Sequence, residues 1–244
     1  MSPLHIVHLY PRELGINGDV GNVTALAFRA HAYGLDVHVS NVHRAEDLPQ
    51  DIDLVHVGSG PADSLALVLP DIARHADSLV ALREAGIPFL GISAGWFALG
   101  ESVTFVDGTR ASGAGVFPTR ASLTPSRAVG EVELLTTFGT VTGFENHSSR
   151  IDDGGLPHFG SVVHGVGSDP SCARDARWDG VTMDASIGTN VHGPLLPMNP
   201  SIADALITRA MTRRESTWTI PQTDALSQLD EFARHSRDAV QSRL

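Results

Sequence analysis

The sequence predicts a single α/β domain with a mostly parallel central sheet flanked by helices, supplemented by antiparallel strands. Three observations carry that expectation. Apolar runs that read as buried strands alternate with helix-compatible segments along residues 4–100. Two of these runs empty into glycine turns, Gly58-Ser-Gly60 and Gly91-Ile-Ser-Ala-Gly95, as strands do where open α/β sheets place ligands. Finally, 244 residues with 42% hydrophobic and 18% charged side chains supply ample core for one large domain.

Taken in order, Leu4 to Tyr10 alternates apolar residues and reads as a first buried strand. A Gly/Asn-rich loop follows, and Asn22 reads as the N-cap of a helix from Val23 to Tyr33, which Gly34 stops. Leu35 to Val42 and Asp53 to Gly58 are strands two and three, so β, α, β succeed one another as in a parallel sheet. Ser64 to Ala85 reads as one long helical segment with a break at Pro70, and Pro88 to Ile92 as the next strand. Beyond Val103 the pattern shifts to short antiparallel pieces around 103–108, 130–135 and 139–146. Residues 148–183 are rich in Gly, Ser, Asp and His, and little regular structure is expected there. Asp184 to Val191 is a last strand that delivers His192, and Asn199-Pro200 opens a helix running to about Ala210. The domain is expected to occupy residues 1–212, with 213–244 a polar helical extension.

Bulk properties narrow the function classes. A net charge of −11 argues against nucleic acid or an anionic membrane as default partner. No apolar run has the length of a membrane span, and Met1-Ser-Pro-Leu-His shows no secretory pattern, so a cytoplasmic protein is expected. A single cysteine, Cys172, excludes an intramolecular disulfide and a C-x-x-C site. His147, His158 and His164 are irregularly spaced without thiol partners and read as structural or solvent-facing, so no metal is expected. Gly15 to Gly21 lacks the Gly-Lys-Ser/Thr of a P-loop, and no nucleotide or other cofactor is implied.

The chemistry-bearing stretch is Gly91-Ile-Ser93-Ala94-Gly95. G-x-S-x-G between a strand and a helix is a nucleophile elbow, a turn so tight that the flanking positions must be glycine. The following helix directs free N–H groups toward the site, Ala94 first, where a developing oxyanion needs donors. The plainer reading is an ordinary βα turn with a hydroxyl residue at the helix start. Parallel topology sets Gly60 on the same rim as Ser93, and the late strand exits at His192. Asp19 and Glu145 are carboxylates available to orient His192, although each reads first as a cap or loop hydrogen-bond acceptor.

Five segments then come in one order: Asp19-Val-Gly-Asn22, Gly58-Ser-Gly60, the elbow, Gly143-Phe-Glu-Asn-His147 and Val191-His-Gly-Pro-Leu-Leu-Pro197. Together they resemble the class I (triad) glutamine amidotransferases of the CobB/CobQ, cobyric-acid-synthase-like branch. The resemblance is nearest to the GatD-type glutaminase subunits of lipid II isoglutaminyl synthases and spans about residues 4–212. It implies a flavodoxin-like fold that binds or hydrolyses glutamine, or a related small amide, and passes ammonia to a Mur-ligase-like (MurT-type) ATP-dependent synthetase. On that resemblance the catalytic cysteine falls on Ser93 and the catalytic histidine on His192. The oxyanion donors fall at Gly60 and Ala94, and the arginine that grips the glutamine α-carboxylate falls on Arg127. Many relatives carry an acid two residues after the histidine; here that position is Pro194, which implies an acid from the partner chain.

The chain also departs from that pattern. Ser93-Ala-Gly-Trp-Phe97 stands where Cys-Gly-Gly-Tyr-Gln is expected, and Ser148-Ser149-Arg150 where Gly-Gly-Arg is expected. A hydroxyl is a far weaker acid than a thiol and needs an oriented base. Three readings compete: a cysteine-to-serine exchange that traps substrate, a diverged subunit that keeps the fold and binds without turnover, and a genuine serine hydrolase. For the second, Trp96 and Phe97 could block the pocket. For the third, the Gly-x-Ser-Ala-Gly elbow is similar to that of peptidase E-like serine peptidases.

Overall fold

The computed structural model describes residues 2–244. Its helix-flanked half is built from β1 (Leu4–Leu9), α1 (Val20–Ala32), β2 (Val37–Val42), β3 (Leu54–Val57), α2 (Ala62–Arg74), α3 (Ala76–Glu84), β4 (Phe89–Ile92) and α4 (Ala94–Leu99). Then come β5 (Ser102–Thr104), β6 (Arg110–Ser112) and two long strands, β7 (Arg120–Thr136) and β8 (Gly139–Asp152). After these follow β9 (His158–His164), β10 (Trp178–Met183), β11 (Ser186–Thr189) and β12 (Val191–His192). Helices α5 (Leu195–Met198), α6 (Pro200–Arg214) and α7 (Ser227–Gln241) complete the chain.

Strands β2-β1-β3-β4-β11 are parallel, and the same sheet continues through antiparallel β10-β9-β7-β8-β12. Both faces of the parallel part are covered, which is why its strands read as near-continuous apolar runs. Alternation sorts their side chains between two cores. Leu4, Ile6, Leu54, Leu90 and Ile92 meet α1 and α6 on one face. Val7, Leu9, Val55, Val57 and Phe89 meet α2, α3 and α4 on the other. No helix among the described residues is long and apolar enough to cross a membrane.

Several boundaries differ from the sequence reading, each for an identifiable reason. Helix α1 begins at Val20, so Asn22 is inside its first turn, and its side chain instead accepts the Leu196 N–H of α5 at 2.9 Å. Pro70 is accommodated within α2, and the break falls at His75, whose φ of −107° ends the helix. Residues 148–183 hold the end of β8 and all of β9 and β10. Their polar residues misled because edge and outward-facing positions of an antiparallel ladder need no apolar side chains. Pro200 does open α6, but the Asn199 amide clamps the backbone of Thr142 on β8 from both sides, at 3.0 and 2.9 Å.

Trp96 is fully buried and lies against β11, where a Cβ at Gly188 would overlap its indole. Replacing Gly188 by Ala is therefore expected to destabilise the fold by about 1–3 kcal/mol through overpacking. Thermal unfolding checks this: the melting temperature falls by several degrees, and an unchanged midpoint contradicts the packing account.

Candidate active site

Ser93 joins β4 to α4 in a conformation that few L-residues adopt, φ 48° and ψ −112°. Holding a non-glycine residue there costs about 1–3 kcal/mol and persists only when its surroundings over-determine it. They do so here. The Ser93 N–H donates to Thr189 O on β11 at 2.8 Å, and Phe97 N–H donates back to Ser93 O at 2.8 Å. Thr189 is itself fixed from below, because its hydroxyl donates to the buried carboxylate of Asp179. Asp179 also accepts from Ser168 Oγ at 2.8 Å and Asn190 N at 3.1 Å. This network ties the elbow to the strand that leads into His192. Asp179 was not legible as a site residue, since it falls where little regular structure was expected.

Ser93 opens onto a cavity of about 300 Å³ that also reaches Gly60, Ala94, Phe97, Arg127, Asn146 and His147. Four of the five predicted site residues therefore share one cavity. Ala94 begins α4, so its N–H has no acceptor within the helix. Across the mouth runs a chain of side chains from Arg127. Its Nε donates to Asn146 Oδ1 at 2.8 Å, Asn146 Nδ2 to Asn17 Oδ1 at 3.4 Å, and Asn17 Nδ2 to Ser59 Oγ at 3.1 Å. Arg127 is the one arginine or lysine among the described lining residues, and no carboxylate lines the cavity. Phe97 forms part of the wall; Trp96, in the core, blocks nothing.

His192, the fifth residue, is not among the residues lining the cavity; it ends β12 and is only 1% exposed. Neither ring nitrogen has a hydrogen-bond partner among the described residues, and Nδ1 stands 3.8 Å from Asp19 Oδ2. Glu145 is occupied elsewhere: it accepts the N–H groups of Val166 at 2.8 Å and Gly167 at 3.0 Å. Burial opposes its ionisation, but the His147 imidazole 3.6 Å away and those two N–H groups outweigh that and hold its carboxyl below the usual range.

Of the two expectations for His147, structural or solvent-facing, the structure takes the first: it is buried on the cavity wall with Nδ1 at 3.1 Å from Ser149 Oγ. The segment Gly143 to His147 had carried the signal, since each of its polar residues has a task. Gly143 admits the His192 carbonyl where a Cβ would collide, Glu145 holds the 165–167 turn, Asn146 meets Arg127 and His147 lines the cavity. A larger apolar groove of about 530 Å³ between α1, α5 and α7 contains none of the predicted site residues. Cys172 lies outside the cavity, its thiol pushed up by burial and by Asp169. No group of three His, Cys, Asp or Glu side chains among the described residues could hold a metal.

With this geometry in view, comparison with known proteins is decisive at family level. Residues 5–200 match the CobB/CobQ-like glutamine amidotransferase domain. The chain belongs to that family. It is 31% identical over 218 residues to the GatD subunit of the glutamine-hydrolysing lipid II isoglutaminyl synthase of Staphylococcus aureus, covering 88% of this chain and 87% of that one. The corresponding subunit of Streptococcus pneumoniae is 28% identical, with 86% and 82% covered. A probable cobyric acid synthase of Methanoregula boonei is 29% identical over 80% of this chain but only 43% of its own. Among solved structures, PurLQS from Thermotoga maritima superposes with a TM-score of 0.60 at 16% identity, covering 85% of this chain and 99% of that one. At that identity the likeness establishes the shared fold.

The lowered carboxyl of Glu145 makes a stability prediction. A folded-state pKa below the unfolded value adds stability above the unfolded pKa, and that stability is lost as pH falls through the folded one. Glu145→Gln is expected to be about 1–3 kcal/mol less stable than wild type at pH 7, because bonds to a charged acceptor are lost. Denaturant unfolding from pH 7 to pH 3 should show the difference shrinking toward the acid end. A constant difference contradicts the assignment.

Proposed function

We propose that the chain is a GatD-like amidotransferase subunit that binds glutamine, or a closely related amide, and hydrolyses it at Ser93. The observation that carries this reading is the cavity itself. It unites a strained elbow serine, an unshared helix N–H at Ala94 and a single guanidinium, Arg127, held by Asn146, with no carboxylate in the lining. A guanidinium facing a carboxylate-free pocket favours a substrate that brings its own carboxylate and presents a neutral amide to the nucleophile.

On this reading Ser93 Oγ attacks the amide carbonyl and the oxyanion is met by the N–H groups of Ala94 and Gly60. His192 takes the hydroxyl proton and returns it to the leaving ammonia, and water then hydrolyses the acyl-enzyme. A hydroxyl is a poorer nucleophile than a thiol near neutral pH, so this site works below the rate its scaffold permits. The ammonia would serve a Mur-ligase-like synthetase, a reading supported by the GatD relatives, which are named as subunits of a synthase. An absence of turnover would instead favour the binding-only subunit.

The test is ammonia release from L-glutamine by purified wild type, Ser93→Ala, Ser93→Cys and Arg127→Ala. Wild type is expected to turn over slowly, Ser93→Ala to fall to background, and Ser93→Cys to exceed wild type. Arg127→Ala should raise KM by about tenfold to a hundredfold, with kcat less affected, because it removes binding common to substrate and transition state. Equal rates in wild type and Ser93→Ala overturn the assignment.

A further inference from the structure

The position two residues after His192 is Pro194, and its packing brings in a different carboxylate. Pro194 lies where the preceding turn enters α1: a Cβ at Gly21, in the first turn of the helix, would stand 2.8 Å from its ring, and one at Gly18, in the turn before it, 3.3 Å. Only a small residue at 21 lets the turn come this close. Asn22 fastens the same contact by accepting the Leu196 N–H. What this approach delivers is Asp19, whose side chain is completely buried.

Asp19 occupies the N-cap position of α1 yet makes no capping bond to it. Its carboxylate turns away, accepts the Ser59 N–H at 2.7 Å and a longer contact from Asn22 Nδ2 at 3.3 Å, and faces His192. A buried carboxylate with so few donors is costly unless a further N–H or cation completes its shell. The His192 ring is equally incomplete, with both nitrogens buried and unpartnered. Neighbouring imidazoles cannot supply the missing group. His56 lies beside the Asp19 carbonyl, with Nε2 3.2 Å from it and Nδ1 3.1 Å from Leu90 O. Burial pushes His56 down, and burial and His56 together push His8 down to about 3, so both stay neutral. Glu145, the other candidate acid, is engaged by Val166, Gly167 and His147.

We infer that Asp19 is the positioning residue that accepts the Nδ1–H of His192 and holds Nε2 as the basic nitrogen toward Ser93, so that this chain supplies its own orienting acid. The gap of 3.8 Å closes to a hydrogen bond with a shift of about 1 Å, and such bonds commonly tighten when substrate is bound. The inference rests on the Ser93–His192 reading above and deepens it, because hydrolysis then needs no carboxylate from a partner chain.

The experiment has two arms. In the first, nitrogen-detected NMR of the 15N-histidine-labelled full chain, with His192 assigned from a His192→Gln sample, reads which ring nitrogen carries the proton in the neutral imidazole. Proton on Nδ1 is expected; proton on Nε2 overturns the inference, and wild type alone decides it. In the second, steady-state glutaminase kinetics compare wild type with Asp19→Asn, neither with a partner present. A fall of about 10²–10⁴ in kcat with KM within a few-fold is expected for a lost orienting charge. Unchanged kcat overturns the inference while leaving the proposed function intact. If wild type does not turn over glutamine but Nδ1 carries the proton, the proposed function fails and the Asp19–His192 pairing stands.

Discussion

The close approach of the Gly18–Asn22 turn to the ends of β3 and β12 is the constraint on which the site depends. Three chain segments far apart in sequence meet there: Asp19 bonds the Ser59 N–H, Asn22 bonds the Leu196 N–H, and Pro194 lies on Gly21. None of these contacts belongs to the regular sheet or helix ladders. Each satisfies a backbone donor at an element end or fills space that a larger side chain would occupy, so the turn, the glycine loop after β3 and the His192 strand can only move together.

The second half of the site is fixed from the opposite side. The elbow stores strain at Ser93, and the strain is sustained because Thr189 receives its N–H while Asp179 holds Thr189. A buried, fully hydrogen-bonded carboxylate of this kind rigidifies whatever it touches. Here it touches the two residues that precede Val191 and His192. The same carboxylate thus sets the registers of both candidate catalytic side chains, although it lines no cavity and touches neither.

Much of this was legible in the sequence, and the reasons are specific. Strands buried on both faces announce themselves as apolar runs, so β1, β3 and β4 were found within about a residue, and the glycine turns after β3 and β4 marked the rim. The glycine turns and the elbow placed Gly60, Ser93 and Ala94, and the family resemblance added Arg127, in what proves to be one cavity. The antiparallel half was poorly legible. Its strands are long and largely polar on one face, and the end of β8, with β9 and β10, read as loop. For the same reason Asp179 was invisible, because its burial comes from partners across the ladder and not from local pattern. Asn22 shows the converse: a good capping residue was recognised, but tertiary contact assigned it to a different helix end.

The central claim is that these contacts present Ser93 as a nucleophile to an amide of glutamine type. The most direct measurement is intact-mass and peptide-mapping spectrometry after incubation with the glutamine-mimicking electrophile 6-diazo-5-oxo-L-norleucine. The account predicts one covalent adduct, on the peptide that contains Ser93, suppressed by excess L-glutamine. An unmodified protein, or an adduct mapped to Cys172 and indifferent to glutamine, would contradict it.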